Sequence, residues 1–427
     1  MGPGSVANAG VAPALEGLRE RSCGAEALRR ATTVAAVLAD PVQQGGTGAP
    51  VGGLGPVKGP DVVLPGSQQL APLLFGLLLF VCLVGLGVAL VVRSRRARRT
   101  GRKGRPTAAV ALAVAATAFG VLAVVNLPPK FFVPEFPAVP RLLPAQAFFY
   151  RPVADLPVAP QSADWVASQK DLPLMAGFGG EVVGGSVNGV PFNPVDAATP
   201  VVDVTYTMFP QTSPKDPVPM ADPAYIETMP RYAYDQHYVA VDLDAGTMWE
   251  LINVRNWFGR WQAGSGAVWD LESLTYPTGS TTASGLPLLP GSVTVDEVTA
   301  GAVPHAVLFT SPVSRSLQHV WPARGTDGRD AAPTAMPQGA WLRLKQGTDL
   351  SKLGPQAKVI AQSLQIYGMV LSDTSGGNMA LRGVPDARWD DTDLATLQTI
   401  SASDFEVVDT SGVKVADDSM EAVQPAG

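Results

Sequence analysis

The chain has 427 residues, of which 46% are apolar and only 16% charged, and its mean hydropathy is +0.15. So few charges and a positive mean over such a length exclude an ordinary soluble cytosolic enzyme and point to membrane segments. The 44 Gly and 39 Pro follow no collagen-like period, so they belong to turns and linkers.

The net charge of −6 hides two opposite regions. Residues 1–126 carry 13 Lys and Arg against 5 Asp and Glu, a balance of +8. Residues 127–427 carry 18 against 32, a balance of −14. The acidic region has no basic face with interleaved aromatics, so no nucleic acid is expected as a partner. Both cysteines, Cys23 and Cys82, precede that region. It therefore has no internal disulfide, thiolate nucleophile or Cys-ligated zinc, and no metal or cofactor is expected.

Residues 1–68 read as a flexible N-terminal segment. An amphipathic helix at Ala14–Leu38 is followed by GGTGAPVGGLGPVKGP, which has linker composition. Residues 69–127 read as two transmembrane helices. Leu70–Val92 and Thr107–Leu127 are uncharged runs of 23 and 21 residues, enough to cross the hydrocarbon core. Between them Arg93–Arg105 holds eight basic residues in thirteen. That is the mark of a cytoplasmic loop, which also attracts anionic lipid. The expected topology is a helical hairpin in the cell membrane with both termini extracytoplasmic. The basic loop and the following run also have the pattern of an export signal. Asn126-Leu127-Pro128-Pro129 offers no small-residue cleavage site, which favours an uncleaved anchor.

Residues 128–163 have the proline density of an extended stalk. From 164 to 412 short apolar runs alternate with turn signals. His237–Asp242 and Thr247–Val254, separated by Leu243-Asp244-Ala245-Gly246, predict a hairpin with Gly246 in the left-handed turn position. Further strands are expected at Val201–Met208, Ala267–Leu271, Val303–Thr310, His319–Trp321, Trp341–Leu344 and Met369–Leu371. Helices are expected at Pro355–Tyr367 and Thr392–Ile400, the second capped by Asp390-Asp391-Thr392-Asp393. The fold class is mainly β: an antiparallel sandwich or barrel with few short helices, extracellular, after an α-helical transmembrane hairpin. Residues 413–427 read as a disordered tail.

No metalloprotease, phosphate-loop, nucleophile-elbow or EF-hand spacing occurs. The three histidines, His237, His305 and His319, fall in or beside strands of the acidic region. His237, in Tyr234-Asp235-Gln236-His237-Tyr238, has neighbours suited to proton transfer, although polar side chains at a strand start give the same string. His305 alternates with Val303, Val307 and Phe309, as a satisfied core histidine also does. Glu297 lies eight residues upstream, where a carboxylate can charge the imidazole. For His319, before Val320-Trp321-Pro322-Ala323-Arg324, a strand-end aromatic with a guanidinium partner is the simpler account.

All eight Trp lie after residue 127, and four of them, Trp249, Trp257, Trp261 and Trp269, fall within 21 residues. Indoles in loops stack well against sugar rings, and packing in a cysteine-free core accounts for them equally. With Tyr234, Arg324 and Asp373, Trp257 and Trp261 make a candidate glycan-binding set. Asp270 and Glu297 are the candidate acid–base pair for glycoside cleavage, with His237 and His305 as proton partners.

The blocks HYVAVD, AGSGAVWDL, ASGLPLLPGSVTVDEV, AGAVPHAVLFT, VWPAR, YGMVLSD and WDDTDL resemble an ordered series found in a group of bacterial exported β-rich proteins. The resemblance covers about residues 230–410. It implies a shared domain containing His237, Asp270, Glu297, His305, Arg324 and Asp373, and it assigns no chemistry. The function expected is a membrane-anchored extracellular domain that binds or acts on envelope or environmental polysaccharide, as a hydrolase or a lyase. Two other readings are open. One is a non-catalytic adhesion or protein-interaction module anchored by Trp257 and Trp261. The other is a scaffold that contacts a membrane complex through its Ala-rich second span.

Overall fold

The computed structural model describes Leu54, Val57, Lys58, Arg95 and residues 133–425, except 184–185, 229–234 and 258. The apolar runs Leu70–Val92 and Thr107–Leu127, the helix expected at Ala14–Leu38 and Tyr234 lie outside the described residues. Among the described residues no helix is long and apolar enough to cross a membrane. The chain divides into two units, 1–44 with 65–127 and 45–64 with 128–427. Nearly all described residues belong to the second, which is mainly β with few helices.

Ten strands position the site: β1 (Leu174–Ala176), β2 (Asn193–Pro194), β3 (Tyr238–Asp242), β4 (Thr247–Ile252), β5 (Ser265–Asp270), β6 (Val307–Ser311), β7 (Trp341–Leu344), β8 (Met369–Thr374), β9 (Met379–Leu381) and β10 (Phe405–Val407). Strands β5, β4, β3 and β2 form one sheet in that order. Strands β1, β9, β6, β8, β7 and β10 form a second. The β3–β4 hairpin is the one expected, with Asp242 opposite Thr247 and Gly246 at φ +59°. The Asp242 carboxylate accepts from the Ala245 amide at 2.9 Å and closes the turn.

Strand alternation sorts the side chains into layers. Val239, Val241, Met248, Ala267 and Trp269 of the four-stranded sheet meet Leu308, Trp341 and Val370 of the six-stranded sheet in one core. Tyr238, Ala240 and Leu251 face the other way, into a smaller core with Val218, Met220 and Val254. The opposite face of the six-stranded sheet carries Val307, Phe309, Leu342, Met369 and Leu371. It is covered by helix Pro355–Ile366 through Ala357, Ile360, Ala361 and Leu364, the spacing of one helical face.

Several expectations change. The sheets are mixed, because β1–β9, β6–β8 and β2–β3 are parallel pairs; a strand's side-chain period does not encode its neighbour's direction. Val303–Thr310 becomes strand only from Val307, and His319 makes a single bridge to Gln338 rather than starting a strand. The helix expected at Thr392–Ile400 is one turn, Asp391–Leu394, capped by Asp390 and continued as a 3₁₀ segment to Thr399.

Three segments expected to be loose contribute to the folded body. Residues 133–160 do not stand off as a stalk: Val133, Phe136, Leu142, Phe148, Phe149 and Val153 are buried, because the side chains between their prolines are mostly large and apolar. The tail is ordered through residue 425, with Met420 and Ala422 in the main core and the Phe148 amide donating to the Met420 carbonyl at 2.8 Å. From the glycine-rich linker, Leu54 enters the same core, and Lys58 exchanges two backbone hydrogen bonds with Glu135.

Candidate functional site

Among the described residues, a group of paired and mostly buried ionisable side chains lies around β3, β4, β8 and β9. Gln236, just before β3, adopts a left-handed φ of +47°, a conformation sparse for a residue with a side chain and common at functional sites. The next residue, His237, is turned inward and is 1% exposed. Its Nδ1 lies 2.5 Å from the Glu227 carboxylate and its Nε2 lies 3.1 Å from the Thr281 carbonyl. Both partners accept hydrogen bonds, so both ring nitrogens carry protons and His237 is an imidazolium. Burial opposes that charge, but the Glu227 carboxylate outweighs it and raises the His237 pKa.

Arg382, directly after β9, bridges two carboxylates. One terminal nitrogen lies 3.3 Å from Glu227 and the other 3.5 Å from Asp373, at the end of β8. Burial alone would raise Glu227; His237 and Arg382 overcome it and hold the carboxyl at about 2. For Asp373 burial wins over Arg382 and pushes it up to about 6. Two acids on one guanidinium are thus driven apart, which is the signature of divided acid and base roles.

Glu250 completes the group. It sits mid-strand in β4 and accepts from the Leu288 amide at 2.7 Å, the Thr281 hydroxyl at 3.0 Å and the Trp269 indole at 3.2 Å. Burial raises its pKa, and the Leu288 and Thr281 donors hold it partly back. Both amide atoms of Gln236, Oδ2 of Asp373 and Nε of Arg382 are buried without a hydrogen-bond partner. Buried polar atoms are rarely left so.

Of the residues singled out in the sequence, His237 and Asp373 belong to this group. His305 and Glu297 form a separate pair. Their atoms lie 3.1 Å apart at a pocket of about 150 Å³ that Tyr150 and Arg141 also line. The second ring nitrogen of His305 faces the Ala306 carbonyl at 2.9 Å, so it too is an imidazolium. The other Glu297 oxygen accepts from the Thr294 amide and hydroxyl in the capping box of helix Val295–Ala300. Asp270 ends β5 and accepts from the Glu272 amide at 2.9 Å, a turn-closing role. Arg324 stacks over Tyr276 at 4.8 Å and donates to the Pro277 carbonyl. Trp261 is half-buried against the smaller core, and Trp269 is fully buried in the main one. Trp257 is described only as the end of a strand, its backbone paired with Arg260.

Glu227, Glu250 and Arg382 were missed. Glu250 had a signal, since in Thr247–Ile252 it shares a face with Met248, an acid among inward-facing apolar positions. A larger cleft, about 580 Å³, opens elsewhere between Trp165, His319, Trp321, Asp409 and Lys414.

Comparison with protein-family models, with curated proteins and with solved structures gives no match. The chemistry of the site therefore stands on its own residues.

Proposed function

We propose that the chain is a membrane-anchored protein whose extracytoplasmic β-domain acts on envelope or environmental polysaccharide by acid–base chemistry at the Glu227–His237–Arg382–Asp373 centre. The observation that carries this reading is the Arg382 bridge. One carboxylate is fixed as an anion and the other titrates near neutral pH. In this division Asp373 moves the proton and Glu227 supplies the standing negative charge. The accompanying fold reading is a two-sheet sandwich after a transmembrane hairpin; the sequence blocks that resemble the exported group cover the domain alone, about residues 230–410, and not the hairpin. The hairpin's partner is membrane lipid, with the basic loop on the cytoplasmic side. The Lys58–Glu135 pairing supports that topology, since it ties together the segments that precede the first apolar run and follow the second.

The test uses the full chain in detergent. It is incubated with isolated envelope and a panel of polysaccharides, and new chain ends are assayed. Release of ends that is lost in Asp373→Asn supports the reading, and release unaffected by Asp373→Asn removes it. A second reading, a non-catalytic binding module, is favoured by the 580 Å³ cleft, where Trp165 is partly exposed among polar groups. Retention on one polysaccharide without any product selects that reading.

A further inference from the structure

The cleft of about 580 Å³ shares no residue with the acid–base centre, and its volume is that of a site for an organic ligand. Trp165, in helix Ser162–Ser168, packs against the core that helix Pro355–Ile366 covers and also lines the cleft, where it stays partly exposed. Its indole is thus a platform fixed before any ligand arrives, which keeps the ordering cost of binding low. Beside it Trp321 is buried and spends its indole N–H on the Ser419 carbonyl at 2.9 Å, so it adds apolar wall only. The polar groups of the cleft are less committed. The Trp165 indole N–H and the side chains of Gln161 and His319 hydrogen-bond no other described residue. Asp409 accepts from the Ser411 amide at 2.9 Å and has no cation partner among the described residues.

Leu317, two residues before His319, is a second and independent mark of the same place. It adopts a left-handed φ of +61° and is 94% exposed. A bulky side chain at positive φ is an outlier, and conformations of that kind cluster at ligand clamps. His319 itself is held in place, since it bridges Gln338 and the next amide, of Val320, donates to the Gln338 carbonyl at 2.9 Å. In the cleft wall the Gly339 amide donates to the Leu371 carbonyl at 2.9 Å, so the cleft borders the strand that carries Asp373.

These groups discriminate between ligand classes. A wholly apolar ligand would take water from the Trp165 N–H, the His319 ring and the Asp409 carboxylate and return no hydrogen bond. A saccharide hydroxyl both donates and accepts, so one chemistry satisfies the carboxylate, which accepts, and the indole, which donates. The CH faces of sugar rings also match the face of an indole. We infer that this cleft is the glycan-binding site of the domain, with Trp165 as the stacking platform and Gln161, His319 and Asp409 on the sugar hydroxyls. The inference rests on the polysaccharide reading above. It moves the platform from Trp257 and Trp261 to Trp165, and it gives a role to His319, which the acid–base centre does not use.

The experiment titrates the full-length protein, in a detergent without a sugar headgroup, with a soluble β-glucan oligomer and with an oligomer of N-acetylglucosamine. Binding is read by calorimetry, and release of chain ends from the envelope is assayed in parallel. Binding of at least one oligomer is expected, weakened at least tenfold in Trp165→Ala and at least threefold in His319→Ala. Circular dichroism of Trp165→Ala establishes that a loss of binding is not a loss of fold. The exposed His319 has no side-chain partner to lose, so its variant reads the cleft directly. Parent affinity in either variant overturns the assignment of the cleft and leaves the polysaccharide reading standing. Release of chain ends without binding of either oligomer does the same. Neither binding nor release overturns both.

Discussion

Lys58 and Glu135 exchange both of their backbone hydrogen bonds, at 2.7 and 2.5 Å, although the two apolar runs and the basic loop lie between them in the chain. The intervening segment must therefore leave and re-enter the folded domain at one place. If the runs span a bilayer, the number of crossings is even and the loop Arg93–Arg105 lies on the side opposite the domain. With Cys23 and Cys82 replaced, Lys58→Cys with Glu135→Cys is expected to form a disulfide in membranes without added catalyst. An impermeant thiol reagent applied to intact cells is expected to label a cysteine at Ser411 and to spare one at Thr100. Labelling at Thr100 would refute the hairpin.

The buried carboxylates predict opposite pH effects on stability. Asp373 has a folded pKa of about 6 against an ordinary 3.8, so its ionisation destabilises the fold. The cost is absent below pH 3.8, grows as pH rises and is complete above 6, at about 3 kcal/mol. The groups facing it are Arg382, His237 and Asp327, and Asn at this position carries no charge for any of them. Asp373→Asn is therefore expected to melt higher than the parent at pH 7.5, with the gain gone at pH 3.5. Glu227, lowered from 4.5 to about 2, works the other way. Its stabilisation is present above pH 4.5 and lost as pH falls toward 2. Glu227→Gln should cost about 3 kcal/mol at pH 7 and much less at pH 3. Melting scans at the two pH values decide both, and parallel shifts would remove the account.

The β-rich class, the Gly246 hairpin and the Asp390 cap are legible in the sequence because each rests on local rules of period, turn and capping. The centre is less legible. His237 stands out as one of three histidines, but its partners Glu227 and Arg382 are distant or unremarkable in the chain. Only tertiary pairing shows that Arg382, in Met379–Gly383, meets a carboxylate 155 residues away. The segment 133–160 misleads for a different reason. Its proline density is that of a stalk, while Phe136, Phe148 and Phe149 pack in the core, and composition alone does not say which property prevails.

Glu250 holds three donors at the junction of the sheets. Replacing it with Leu fills the space but leaves the Leu288 amide, the Thr281 hydroxyl and the Trp269 indole buried and unpaired. Each such group costs roughly 1–3 kcal/mol. Gln keeps an acceptor and avoids burying a charge. Glu250→Leu is therefore expected to be less stable than Glu250→Gln by about 2 kcal/mol or more in urea denaturation. Equal midpoints for the two variants would mean that the donors find other partners.

His305 and Glu297 are expected to hold structure rather than turn over substrate. The imidazolium has no free nitrogen to accept a proton, and one Glu297 oxygen is committed to capping its helix. Burial opposes both charges, but the pairing outweighs it, raising His305 and lowering Glu297. The His305 contribution is full below pH 6.5 and lost as pH rises through its folded value. The Glu297 contribution is full above 4.5 and lost as pH falls. The pair is thus worth most between about pH 4.5 and 6.5. Glu297→Gln should lower stability most in that window, by about 2 kcal/mol, since it removes the ion pair while Gln keeps an acceptor for the capping box. The rate of polymer cleavage at 25 °C should stay within about twofold of the parent, a barrier change of no more than about 0.4 kcal/mol. A hundredfold loss of rate with unchanged stability would move the acid–base centre to this pair and away from Arg382.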